Sequence, residues 1–117
     1  MRVLLDQNVP RPLARLLVGH DVRRAADMGW SELKNGVLLR AAEDEGFEVL
    51  LSGDKTIAYE QNMTGRKIAV VSMSDNHWGI VRDHVDVIAR AIDVATPGTV
   101  TAVECGTFVP RRFRKKV

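Results

Sequence analysis

Short apolar runs, each stopped by turn residues and separated by stretches of helical periodicity, predict an α/β domain. The expected form is a single three-layer α/β/α domain with a mostly parallel sheet. Two patterns carry this expectation. Val3-Leu4-Leu5, Val49-Leu50-Leu51 and Ile68-Ala69-Val70-Val71 are continuous in apolar character, as strands covered on both faces must be. Between them, apolar residues recur three and four apart, the spacing of a helix with one buried face. With 117 residues, 45% apolar and 27% charged, the chain suffices for one such domain, placed at residues 1–109. That composition excludes disorder, collagen and coiled coil as descriptions of the whole.

The first strand, Val3 to Leu5, stops at Asp6. Pro10 and Pro12 suit the first turn of a helix, whose stripe is Leu13, Leu16 and Leu17 and whose end is Gly19. His20 to Arg23 is the second strand, and residues 25–34 are irregular. Asn35 is a plausible N-cap for a helix carrying Val37, Leu38, Ala41 and Ala42, closed by Gly46. Glu48 to Ser52 is the third strand, with Gly53-Asp54 after it and a short helix expected from Thr56 to Asn62. Ile68 to Val71 is the fourth. Residues 80–95 carry the longest periodic segment, through Ile80, Val81, His84, Val85, Ile88, Ile92 and Ala95, until Pro97-Gly98 breaks it. Thr99 to Cys105, rich in Thr and Val, is a last edge strand. Right-handed crossovers throughout are expected for such a sheet.

Lys and Arg number 17 against 15 Asp and Glu, a net charge of +2. Five of the cations, Arg111, Arg112, Arg114, Lys115 and Lys116, crowd the segment 110–117, leaving residues 1–110 with 12 against 15, or −3. A mildly acidic body thus carries a basic tail, which with Phe113 can grip RNA phosphate or simply be solvated. The lone Cys105 excludes an intramolecular disulfide and a cysteine zinc cluster and fits a reducing cytoplasm. Neither a secretory leader nor an apolar stretch of membrane-spanning length is expected.

In open parallel sheets ligands bind beyond the carboxyl ends of the strands, near a switch in strand order. Asp6 ends the first strand and Asp54 follows the third. On neighbouring strands, about 4.8 Å apart, the two carboxylates can share one hard cation such as magnesium or manganese. Taken singly, each acid equally suits a loop or helix cap.

The segments Leu4-Leu5-Asp6-Gln7-Asn8-Val9-Pro10, Gly19-His20-Asp21-Val22 and Leu50-Leu51-Ser52-Gly53-Asp54-Lys55 resemble the small PIN-like proteins often encoded beside antitoxin-like genes. The resemblance spans roughly residues 1–80. It implies a nuclease fold with acids clustered at the C-terminal edge of a parallel sheet, Mg2+ or Mn2+ as cofactor, RNA as substrate and an antitoxin as partner. Matched position by position, Asp6 and Asp54 are family acids; Lys55, beside Asp54, suits a contact to the scissile phosphate or a charge that offsets the carboxylates. Asn35, which can lend a carbonyl oxygen to a metal but no charge, falls where the family has a mid-chain acid, and Thr56 where it has a second aspartate. Glu32, three residues before Asn35, and Asp75, after the fourth strand, are the candidates to complete the metal set. The implied activity is endoribonucleolytic, with water attacking the phosphodiester in line.

Two other classes stay open. The missing acids at Asn35 and Thr56 suit a binding module that keeps the scaffold without catalysis. An aspartate after the third strand suits a phosphoacceptor receiver domain, although Gln7 rather than a second acid follows Asp6 and the Thr99–Cys105 strand holds no lysine. Asn8 and Gln7 can orient a phosphate or shape the loop. His20, His77 and His84 lack metal-ligand spacing. Trp30 and Trp78 can stack bases or plug loops, and Met28, Met63 and Met73 read as packing. The exposed last strand would allow pairing with a second copy.

Overall fold

The structure, a computed structural model, describes residues 1–33, 35–54 and 62–105. Its five strands are β1 (Arg2–Leu5), β2 (Asp21–Arg24), β3 (Val49–Ser52), β4 (Ala69–Met73) and β5 (Val100–Val103). They lie in the order β2-β1-β3-β4-β5, and every neighbouring pair is parallel. The apolar runs of the sequence are the central strands: β3 and β4 are buried along their whole length, whereas the edge strand β2 alternates exposed and half-buried residues. Helix α1 (Leu13–Leu16) links β1 to β2, and α2 (Asn35–Asp44) lies between β2 and β3. Helices α3 (Trp78–Val81) and α4 (Val85–Asp93) lie between β4 and β5.

Because successive strand residues face opposite sides, the core divides in two. Val3, Leu5, Val49, Leu51, Val71 and Met73 meet Leu13 and Leu17 near α1, Val81 of α3, and Ile88 and Ile92 of α4. Leu4, Leu50 and Val70 point the other way, onto Leu38, Leu39 and Ala42 of α2 with Phe47 and Met63. The three-layer α/β/α expectation therefore holds. Each fully buried leucine in these layers contributes about 1.5–3 kcal/mol.

Three details differ from the sequence expectation. Leu16 is 45% exposed while Leu17 is 2% exposed. Helix α1 is a single turn, and Leu17, at its C-cap with φ −87° and ψ 68°, has left helical geometry, so its side chain turns inward where a longer helix would have buried Leu16. The 80–95 helix begins at Trp78, ends at Asp93 and is broken at Arg82–His84 by a turn of 3-10 helix. There His84 Nδ1 donates to the Ile80 carbonyl at 2.9 Å, taking the acceptor that an unbroken α-helix would give to the His84 N–H.

The third difference is handedness. The connection from β1 to β2 passes over the α1 face in one direction across the sheet. That from β2 to β3 passes over the α2 face in the other direction, and so has the same hand. The connection from β4 to β5 returns to the α1 face while running opposite to β1→β2, which gives it the other hand. The expected uniform hand therefore fails there, where α3 and α4 cover Val71 and Met73 with Val81, Ile88 and Ile92.

Gly46 ends α2 as expected, with φ +81° and with the Phe47 N–H donating to the Ala42 carbonyl at 2.9 Å. The helix expected at Thr56–Asn62 falls almost wholly on residues 55–61, outside the described residues, as does the basic tail.

Candidate functional site

The chain leaves β1 toward β2 and later resumes on the other side of β1 with β3, so the switch in strand order lies between β1 and β3. Asp6 stands there. Its N–H donates to the Leu51 carbonyl at 2.9 Å, which extends the β1–β3 ladder by one residue and fixes where the carboxylate emerges. Asp6 Oδ1 accepts the Gln7 N–H at 2.8 Å, and Oδ2 accepts the Ser52 hydroxyl at 2.9 Å. Ser52 is fully buried, and the same Oγ accepts the Asp54 N–H at 3.0 Å. One hydroxyl therefore ties the Asp6 side chain to the Asp54 backbone. In the next strand Ser72, paired in register with Ser52, donates to the Asp54 carbonyl at 3.0 Å. The two serines are the polar residues of otherwise apolar strands, and sequence reasoning assigned neither a role.

Asn8 bridges the same crevice, its Oδ1 accepting the Gly53 N–H at 2.9 Å. A Cβ added at Gly53 would stand 3.3 Å from the Asn76 Cβ and 3.5 Å from the Asn8 Cγ, so glycine lets the loops after β1, β3 and β4 close on one another. Asn8, a candidate RNA contact in the sequence, here spends its carbonyl holding two loops together. The Gln7 amide likewise donates to the Ser31 carbonyl, drawing the loop after β2 toward Asp6.

The remaining candidates separate along the edge. Glu32 is exposed in the loop that follows β2, beside Ser31. Asp75 follows β4, and its Oδ1 accepts the His77 N–H at 2.8 Å and contacts His77 Nδ1 at 2.7 Å. Glu32 and Asp75 thus lie in the loops that follow β2 and β4, on either side of the strands that carry Asp6 and Asp54. Among the described residues no three His, Cys, Asp or Glu come together in a group that could hold a metal ion. Asn35 begins α2, while Lys55 and Arg111, Arg112, Arg114, Lys115 and Lys116 lie outside the described residues.

Beyond Asp75, the Ser74 hydroxyl accepts the Cys105 N–H at 2.7 Å. Burial pushes the Cys105 thiol up and outweighs the lowering effect of the Ser74 and Asp75 backbones on it; the charges of Glu104 and Asp75 act in the same direction as burial. Trp30 meets Phe47 edge-on at 6.1 Å and packs on the α2 side, and Trp78 packs on the α1 side. Both tryptophans serve the core, as Met63 and Met73 do. His20 Nε2 lies 2.8 Å from Asp93 Oδ1, joining the β2 entry to the end of α4.

Compared with protein-family models, with curated proteins and with solved structures, the chain finds no match. The site is therefore read from its own chemistry. Asp6 and Asp54 supply carboxylates, the ligand type that hard cations take, while the Asn8 carbonyl is engaged by the Gly53 N–H. Two carboxylates fit a single Mg2+ or Mn2+ that keeps several waters, rather than a two-metal centre. No helix among the described residues is long and apolar enough to cross a membrane.

Proposed function

We propose that this chain is a divalent-cation-dependent endoribonuclease of PIN-like type, acting in the cytoplasm as the toxin of a toxin–antitoxin pair. The observation that supports it best is the Asp6–Ser52–Asp54 chain at the β1/β3 switch point, where an open parallel sheet carries its ligand site. Asp6 and Asp54 are the residues that would hold the cation. When bound, it would supply positive charge against the phosphorane-like charge of phosphodiester hydrolysis. The chain's own part is orientation. Ser52 fixes the Asp6 rotamer, Asn8 fixes the distance between the two loops, and the buried strands beneath exclude water from the floor of the crevice. The five cations of the basic tail would draw RNA phosphate toward this acidic edge.

Calorimetric titration with Mn2+ tests the reading. Wild type should bind one cation per chain and Asp6→Asn should bind about 10–100-fold more weakly. Cation binding without cleavage of any RNA in a mixed pool would select the non-catalytic binding module instead.

A second reading has one observation in its favour. The strand order 2-1-3-4-5 with an aspartate directly after β3 is also the arrangement of phosphoacceptor domains of doubly wound type. Incubation with acetyl phosphate, followed by mass spectrometry of Asp54, separates the two, and an unmodified Asp54 removes the phosphoacceptor.

A further inference from the structure

Asp6 has a second neighbour, on the β2 side, that the acidic pair does not use. A cavity of about 360 Å3 opens between the loop after β1 and the turn of 3-10 helix after β2, with Asp6, Val9, Arg11, Arg24 and Ala25 in its lining. Apolar Val9, Ala25 and Ala26 stand in the lining beside polar Gln7 and Ser31. Its cations come from two elements, Arg11 from the loop after β1 and Arg24 from the end of β2. Arg24, with its side chain 27% exposed, grips Asp27 with two nitrogens, Nε to Oδ2 at 3.1 Å and Nη2 to Oδ1 at 2.8 Å. That fork holds the Asp27 carboxyl below its ordinary value against the opposing effect of burial, and Arg11 adds to the lowering. Arg24 is therefore taken up by Asp27, while Arg11, whose charge only adds to that lowering, is the second cation of the cavity and lines it together with the Asp6 carboxylate.

A ligand that suits this cavity needs an anionic group for the arginines, an apolar or aromatic body for Val9 and Ala25, and a place for its charge within reach of the cation-holding acid. A nucleotide unit meets all three needs, and the volume falls in the range of small-ligand pockets. We infer that the cavity seats the nucleotide next to the scissile phosphodiester of the RNA strand, with Arg11 as its phosphate contact. This rests on the nuclease reading above and adds to it the side of the site along which the strand runs, from Asp6 toward β2. Arg24 is the positioning partner, because its fork on Asp27 holds the second wall of the cavity.

The test is binding of a fluorescently labelled ten-nucleotide RNA of mixed sequence, followed by anisotropy in EDTA across a salt series. Arg11→Gln should bind about ten-fold more weakly, and the slope of log affinity against log salt should fall by about 0.7, the value for one single-strand phosphate contact. Arg11→Lys should keep the wild-type slope. Arg23→Gln, on the exposed outer edge of β2, should match wild type in both. Binding by Arg11→Gln within two-fold of wild type with an unchanged slope overturns the inference, as does uridine monophosphate binding as tightly as the decamer. The two readings fail separately. Cleavage that persists in Asp6→Asn overturns the nuclease reading, whereas cleavage lost in Asp6→Asn beside unaltered RNA binding in Arg11→Gln overturns only the cavity.

Discussion

Replacing Ser52 by alanine deletes a single oxygen that takes part in two hydrogen bonds of the site. The Asp6 carboxylate loses a donor at 2.9 Å, and the Asp54 N–H loses its acceptor at 3.0 Å. A hydrogen bond to a charged group contributes about 1.5–3 kcal/mol, and a neutral one such as that to the half-buried Asp54 amide about 0.5–1.5 kcal/mol. Both bonds share one atom, so the terms are not additive, and the combined cost is about 2–4 kcal/mol. For a domain of this size each kcal/mol moves Tm by about 4 °C, which predicts a drop of about 8–16 °C by calorimetry. Loss of an orienting partner also weakens a carboxylate ligand, so Mn2+ affinity should fall about 10–100-fold in the folded variant. Ser72→Ala is the comparison. It loses only the bond to the Asp54 carbonyl, an effect of about 0.5–1.5 kcal/mol, and should leave Mn2+ affinity near wild type. A Ser52→Ala protein that melts within 2 °C of wild type and binds Mn2+ equally well would refute the claim that Ser52 organises the site.

Further outcomes follow from the same structure. Leu17→Ala should lower stability by about 2–4 kcal/mol, whereas Leu16→Ala, truncating a side chain 45% exposed, should cost under about 1 kcal/mol. Urea denaturation of the two variants that gave equal losses would restore a regular helix at this point. Burial pushes the Glu43 carboxyl up, but the Lys67 N–H at 2.8 Å and the Arg66 guanidinium outweigh it and leave its pKa below the ordinary 4.5. A depressed folded value means that its stabilisation is complete at neutral pH and fades as pH falls from 4.5 through the lower folded value. Glu43→Gln should therefore melt below wild type at pH 7, with the gap closing in acid; a gap constant from pH 7 to pH 3 would contradict the pairing. Cys105, buried with its thiol pKa raised, should react with a thiol reagent at pH 8 only as fast as the protein opens, and at once in urea.

The central strands were legible because a strand buried on both faces has to be apolar at every position, and Val49-Leu50-Leu51 and Ala69-Val70-Val71 are. Asp6 and Asp54 were legible as polar residues placed where such strands end. The inward turn of Leu17 was not, because it depends on a C-cap geometry one residue beyond a single helical turn. The break at His84 depends on a side chain competing for a backbone carbonyl, which periodicity does not register. Strand order was also invisible, and it decides the site. It puts β1 beside β3, which joins Asp6 to Ser52 and Asp54, and leaves Glu32 and Asp75 in the loops that follow the strands on either side. Ser52 and Ser72 left a trace, each a lone hydroxyl in an apolar strand, that gained meaning once their register pairing was known. Arg11 and Arg24 left none, because only the packing of the loop after β1 against the end of β2 brings them to one cavity.

The account stands on the two carboxylates at the switch point, and RNA cleavage by carboxamide variants tests it most directly. Wild type, Asp6→Asn and Asp54→Asn, each confirmed as folded by circular dichroism, are incubated with a mixed RNA pool in Mg2+ and in Mn2+. The account predicts cleavage by wild type that EDTA abolishes and that each substitution reduces by at least about 100-fold. Cleavage that survives both substitutions, or that proceeds unchanged in EDTA, would contradict it.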